Sequence, residues 1–237
     1  MGDQSMIKAE ESGLLWLVCV AAPKEARAVL EGLDSSRPVP DPWQPLQLDG
    51  CEILRTGVGK AAAAGAAGRW FDPQRHAGVL SVGIAGALPG AWVEIGSSVL
   101  ADPSMFADEG VLTPKGFQSL ADMGFGADSE PVRPDEPTRR AIQPLVDVIA
   151  PIATVSVCSG DDAWAADIAH RTGGLAEAME GAAIGLTVRR IDPSARFAEV
   201  RVISNTTGDR DRQRWDIDAG LAGLAALMKP TIQSLMV

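Results

Sequence analysis

The sequence predicts an α/β fold: one domain with a central, mostly parallel, twisted mixed sheet flanked by helices. Three observations predict it. Short apolar runs recur along the chain, helical periodicity fills the intervals between them, and glycine-rich turns mark several of the junctions. At 237 residues the chain can bury roughly 70% of its unfolded surface without disulfide or metal staples. Residues 1–237 therefore read as a single domain, with residues 1–13 expected to be flexible.

The elements follow in order. Residues 14–22 form the longest wholly apolar run, and its lack of alternation is the pattern of a strand covered on both faces. Pro23 suits the first turn of the next helix, where Ala26, Val29, Leu30 and Leu33 fall at helical spacing. Pro38, Pro40, Pro42 and Pro45, mixed with Asp, Ser and Trp43, make residues 34–45 a surface loop. Residues 51–56 are a second strand, followed by Gly57-Val58-Gly59-Lys60 and an alanine-rich helix to about Trp70. Residues 78–83 are a third strand, expected to end in a glycine-rich turn over residues 84–90. Further strands are expected near 97–101, 153–158 and 197–203, and helices near 138–149, 162–171, 178–190 and 217–228.

Composition excludes several classes of function. A formal net charge of −10 and a pI near 4.7 repel a phosphate backbone, so nucleic acid is not an expected partner. The 14–22 run is far short of the roughly 20 residues a membrane helix needs, and no membrane association is expected. Charged residues among the first thirteen do not make a signal peptide, which points to the cytoplasm. Cys19, Cys51 and Cys158 are widely spaced and read as buried thiols in a reducing compartment. His76 and His170 are the only histidines, and no cysteine pair is close, so no metal site is expected. His76 reads as a surface-loop residue, and His170 as a helix-end residue beside Arg171 that complements the dipole.

Familiar site motifs fail as well. Gly57-Val58-Gly59-Lys60-Ala61-Ala62 fits a loose dinucleotide pattern, but the next strand ends Ser81-Val82-Gly83 without the carboxylate that would hold a ribose. Lys60 is not followed by Ser or Thr, which rules out a Walker-type phosphate loop, and no G-x-S-x-G elbow occurs. No cofactor is expected. Any chemistry must rest on carboxylates and amides. Two segments offer them: Glu177-Ala178-Met179-Glu180-Gly181, at the head of a helix, and Arg201-Val202-Ile203-Ser204-Asn205, at the carboxyl end of a strand, where α/β proteins place ligands. Each also has a purely structural reading, as a dipole-complementing helix start and as a capped turn.

Taken in order along the chain, these segments resemble the purine nucleoside phosphorylase and nucleosidase superfamily. Residues 18–26 look like the family's opening strand and helix, with Glu25 at its acidic catalytic position. Residues 56–62 look like its first glycine turn, Gly83-Ile84-Ala85-Gly86-Ala87 like its second, and Ser159-Gly160-Asp161 like its central S-G-D. Residues 178–183 are similar to its Met-Glu ribose clamp and residues 201–205 to its purine-end strand. The finer resemblance is to the futalosine hydrolases of the alternative menaquinone pathway. It rests on residues 108–120 with Thr113-Pro114-Lys115-Gly116-Phe117, on residues 83–87, and on Ser204-Asn205 followed by Arg210-Asp211 and Trp215.

The resemblance implies a water-using nucleosidase. Glu25 would orient or deprotonate water, Glu180 would hold the ribose hydroxyls, and Met179 would pack under the sugar. Asn205 would donate to N7 and O6 of the base, with Ser204 and Arg201 fixing its strand and Ile84, Ala85 and Gly86 lining the pocket. Trp164 would stack on the base or simply fill core. Methylthioadenosine nucleosidases carry an Asp where Asn205 stands and often an acid where Ala178 stands. An amide suits the acceptors of a 6-oxopurine such as hypoxanthine. Related phosphorylases hold phosphate with an arginine and a hydroxyl near the second glycine turn, where this chain has Ser81 and Ile84; only Lys24 and Arg27 lie near as cations. Lys115, Arg133 and Arg210 are candidates to meet the substrate's distal carboxylate. A methylthioadenosine nucleosidase, a phosphorylase or a non-enzymatic nucleoside-binding module are the alternatives. The family implies a homodimer or larger homo-oligomer.

Overall fold

The computed structural model describes residues 13–236, so the lead expected to be flexible lies, Gly13 apart, outside the described residues. Strand β1 (Leu15–Val20) is buried beyond its first residue, as its uninterrupted apolar sequence requires. It lies parallel to and between β3 (Cys51–Arg55) and β4 (His76–Ala87), and β2 (Leu46–Gln47) adds an antiparallel edge to β3. On its other side β4 pairs in parallel with β10 (Arg196–Thr206). The sheet continues through β5 (Ser98–Phe106), β8 (Val148–Thr154) and β9 (Ala176–Ala178).

The sheet then closes on itself. β9 pairs back onto the carboxyl end of β4, Gly86 opposite Glu177 and Ala87 opposite Ala176, so five strands form a ring. Ala85, Ala87, Ala101, Ala176 and Ala178 pack with Val99, Val148, Ile152 and Ile203 inside it. Small side chains at these positions let so narrow a ring close without strain. The sheet is mixed because β10–β5 and β4–β9 are antiparallel. A separate hairpin, β6 (Gly110–Thr113) and β7 (Gly116–Ser119), stands apart from it.

Helices cover both faces. α1 (Pro23–Gly32) and α6 (Ile217–Leu235) bury Val18, Val20, Leu80 and Val202 under one, with Gly32 pressed so close to the backbone of Ala225 that a Cβ has no room. α2 (Lys60–Trp70) and α5 (Gly181–Ile191) bury Leu17, Leu54, Val79 and Phe197 under the other. The remaining helices are α3 (Glu136–Ile142) and α4 (Asp162–Thr172). Among the described residues no helix is long and apolar enough to cross a membrane.

Several sequence expectations need correction. Residues 84–87 are not a turn: β4 runs through them because both its edges find partners there, β10 on one side and β9 on the other. The helix expected over 138–149 stops at Ile142, since Pro144 cannot continue it, and β8 begins at Val148. The strand expected at 153–158 ends at Thr154; beyond it, carboxylates of Asp108 and Glu177 take the N–H groups of Ser156 and Ser159. α6 runs on to Leu235 through Pro230. His76 is a buried strand residue, not a surface one: Nδ1 accepts from Asp72 N at 3.1 Å and Nε2 meets Glu52 at 3.0 Å. Cys19 and Cys51 are buried as expected, but Cys158 is exposed.

Candidate active site

The carboxyl ends of β1, β4 and β10, the turn before α2, the loop after β8 and the start of α6 enclose one cavity of about 610 Å³, in the size range of small-molecule sites. Glu25, Met179, Glu180, Arg201, Ser204, Asn205, Ile84, Ala85 and Gly86 all line it. These residues come from four separate stretches of chain, and the fold brings them together.

At one end three carboxylates surround a single buried guanidinium. Arg201 meets Glu180 at 3.1 Å through Nη1 and Glu199 at 2.9 Å through Nε, and donates to Ser81 Oγ at 3.2 Å through Nη2. Glu199 also accepts from Ser104 Oγ at 2.6 Å. Glu25 accepts from the N–H of Ala22 at 2.8 Å and of Ile84 at 2.9 Å. Glu180 accepts from the N–H of Gly59 at 3.0 Å, so the glycine turn before α2 serves as a backbone donor to a carboxylate. Glu180 is the N-cap residue of α5 yet makes no capping bond; its oxygens are committed to Arg201 and Gly59 instead.

With one cation among three acids, the electrostatics follow from counting. Burial pushes the Glu25 carboxyl above the usual range, the Arg201 charge and the N–H of Ile84 oppose that, and Glu180 adds to it. Burial likewise raises Glu199 against the pull of Arg201. Burial alone would lower Arg201, but Glu199, Glu180 and Glu25 together raise it, so it stays charged. Three acids thus share one guanidinium, and burial of Glu25 and Glu199 works against their full ionisation.

Gly83 makes this approach possible. A Cβ there would lie 2.5 Å from Glu25 Oε1 and 2.6 Å from Arg201 Nη1. Gly83→Ala is expected to displace one of the two and lower activity about 100-fold, the cost of roughly an ångström of misplacement, with the fold retained. Steady-state kinetics beside a thermal melt check this; unchanged kcat would show that the cluster's spacing does not matter.

The other end is built around an amide. Asn205 Oδ1 accepts from Ser204 Oγ at 2.9 Å, and Nδ2 gives one hydrogen to the Thr206 carbonyl at 2.9 Å, leaving its second toward the cavity. Glu177, which sequence reasoning did not assign a role, is buried at this end and accepts from the backbone N–H of Ser159 at 2.8 Å and from its hydroxyl at 2.6 Å. Glu199 was also missed. Its signal was present: an acid two residues before an arginine in an otherwise apolar strand puts an ion pair on one buried face. β9 is too short to show any period.

One placement differs from the sequence reading, and two choices it left open are narrowed. Arg201 was expected to fix the purine-end strand, but its guanidinium sits with the carboxylates. Trp164 does not line the cavity; on α4 it packs against Leu88, Val155 and Ile168, the core-filling alternative. Of the three cations considered for a distal arm, only Arg210 reaches the cavity, stacked 4.7 Å over the Trp215 ring. Lys115 lies in the β6–β7 turn, and Arg133 pairs with Asp102. Lys24 also lines the mouth.

A family model described as the phosphorylase superfamily matches residues 51–229. The chain is 37% identical over 216 residues to a futalosine hydrolase of Acidothermus cellulolyticus, covering 88% of this chain and 86% of that protein. It is 35% identical to a futalosine hydrolase of Streptomyces coelicolor, with 74% and 76% covered. Among solved structures, a methylthioadenosine/S-adenosylhomocysteine nucleosidase of Colwellia psychrerythraea in complex with adenine superposes with a TM-score of 0.75 at 19% identity, over 94% of this chain and 96% of that one. The futalosine hydrolase of Helicobacter pylori superposes with a TM-score of 0.72 at 14% identity, over 93% and 97%. At these identities the two superpositions speak for the fold.

Proposed function

Because the chain belongs to the phosphorylase superfamily, we propose that its cavity hydrolyses the N-ribosidic bond of a 6-oxopurine nucleoside, with futalosine as substrate and hypoxanthine as the released base. The observation that carries this reading is the polarity of the cavity: Glu25 and Glu180 gather around Arg201 at one end, and the Asn205 amide stands at the other. The relatives at 35–37% identity, themselves futalosine hydrolases, support the same substrate.

Breaking a ribosyl C–N bond develops positive charge on the sugar and negative charge on the base. Glu25, held by two N–H donors, orients a water below the anomeric carbon and takes its proton. Glu180 keeps free lone pairs beyond Gly59 and Arg201 to accept from the ribose hydroxyls, and its carboxylate stabilises the oxocarbenium-like sugar beside it. Met179 packs under the ring. At the far end the free hydrogen of Asn205 is shared between the acceptors N7 and O6. Phosphate is not the nucleophile in this reading, since the positions that would hold it are committed: Ser81 accepts from Arg201, and the N–H of Ile84 points at Glu25.

The test is chromatographic detection of free base from futalosine, inosine and methylthioadenosine, each with and without phosphate. The expected result is hypoxanthine from futalosine alone, independent of phosphate. Adenine from methylthioadenosine, or release only with phosphate, would overturn it. A cytoplasmic homo-oligomer belongs to the same reading. Val111, Leu112, Met123 and Phe125, on and just after the β6–β7 hairpin, are each exposed and supply apolar surface that a second copy would cover.

A further inference from the structure

We propose that Glu177, acting through the hydroxyl of Ser159, supplies the proton that the departing purine needs. The inference rests on the hydrolytic reading above. It starts from a gap in that reading: the amide of Asn205 can donate a hydrogen bond but cannot give up a proton near neutral pH, so a purine anion would leave without an acid.

Strand register places a carboxyl across from the amide. Gly86 of β4 is opposite Asn205 on β10 and opposite Glu177 on β9, so the three lie in one row over adjacent strands. Two strand spacings put the Asn205 and Glu177 backbones about 10 Å apart, with a residue that has no side chain between them. A Cβ at Gly86 would lie 2.8 Å from Thr207 Cγ2 and 3.0 Å from Asn205 Nδ2, so the missing side chain is what lets the amide close down on this strand at the cavity wall. A flat base lying in the cavity with N7 and O6 toward Asn205 turns its opposite edge, and the acceptor N3, toward Glu177 and Ser159. Both residues line the cavity.

The local bonding suits a held proton. The N–H of Ser159 fixes Oε1, and Oε2 lies 2.6 Å from Ser159 Oγ. With the acid protonated, Oε2–H donates to Oγ, and the hydroxyl hydrogen is free to point at the ligand. Burial pushes the Glu177 carboxyl above the usual range, the two Ser159 bonds oppose this, and Asp108 adds to it. The other charged and titratable groups around it are Lys60, which pairs with Asp108, Cys158 in the adjoining loop, and Arg210 on the cavity wall.

Protons and electrons balance. The C1′–N9 pair passes into the purine as the bond breaks, N3 takes the hydrogen of Ser159 Oγ, and Oγ takes that of Glu177. Water adds its hydroxide to C1′ and its proton to Glu25. Exchange with solvent returns a proton to Glu177 and removes one from Glu25.

The experiment is the pH dependence of kcat/KM for hydrolysis of futalosine by the full chain and its Glu177→Gln and Glu177→Gln/Asn205→Asp variants, with thermal melts as a fold control. Glutamine keeps both contacts to Ser159. The single variant is expected to lose on the order of 100-fold and, with it, the alkaline limb, because an acid that must be protonated fails as pH rises through its pKa. Asn205→Asp, which puts a new acid at N7, is expected to restore part of the rate. Full activity in Glu177→Gln, or a lower rate with the alkaline limb unchanged, would overturn the inference and leave the hydrolase standing. Absence of hypoxanthine release by the unaltered chain would instead overturn the hydrolytic reading beneath it.

Discussion

Glu180→Gln is expected to lower kcat for base release on the order of 100- to 1,000-fold while KM changes far less. The carboxylate does its work as positive charge grows on the sugar, so its loss falls on the transition state more than on substrate binding. The structure adds a second reason for a large effect. A glutamine Nε2 would face a donor whichever way the amide turned, Arg201 Nη1 on one side or the N–H of Gly59 on the other. Glu199 still holds Arg201, so the guanidinium is not stranded and the chain should fold. Single-turnover kinetics with a melting curve separate the two effects; a variant with nearly full turnover would remove Glu180 from the mechanism.

Asn205→Asp should shift the ratio of 6-amino to 6-oxo substrate use upward by roughly 30-fold, the equivalent of about 2 kcal/mol for one well-placed hydrogen bond. The new side chain has Ser204 Oγ on one oxygen and the Thr206 carbonyl facing the other, where Asn205 Nδ2 now donates. Two oxygens cannot face each other there unless one carries a hydrogen. The Thr206 carbonyl therefore favours the protonated acid, and its single hydrogen leaves the carbonyl for N7 as adenine departs. Competition between a 6-amino and a 6-oxo nucleoside in one reaction measures the ratio directly. An unchanged ratio would mean that the base is read elsewhere.

Much of this was legible in the sequence, for reasons that differ by element. Continuous apolar runs mark buried strands whatever they pair with, so β1, β3 and the core of β10 could be placed closely. The glycine turns and the Met179-Glu180 segment carried the resemblance that located most of the cavity lining. What stayed hidden depends on long-range pairing. Nothing local tells residues 84–87 to remain extended, because the partner that holds them there, β9, is three residues long and almost ninety positions away. His76 looked like a loop residue because its reason for burial, Glu52, sits on another strand. Arg201 was assigned to the wrong end of the site because strand position gives the face of a side chain but not how far a long one reaches.

The ring of five strands has a consequence for solubility. An open eight-stranded sheet offers two rows of unpaired backbone groups, each a template on which another molecule can add a strand. Here one of those rows is consumed when β9 returns to β4. The other belongs to β2, only two residues long and preceded by Pro38, Pro40, Pro42 and Pro45, which have no N–H to offer a newcomer. Among the described residues the large sheet thus leaves almost no seam along which copies could stack, and the unpaired edges that remain belong to the short β6–β7 hairpin.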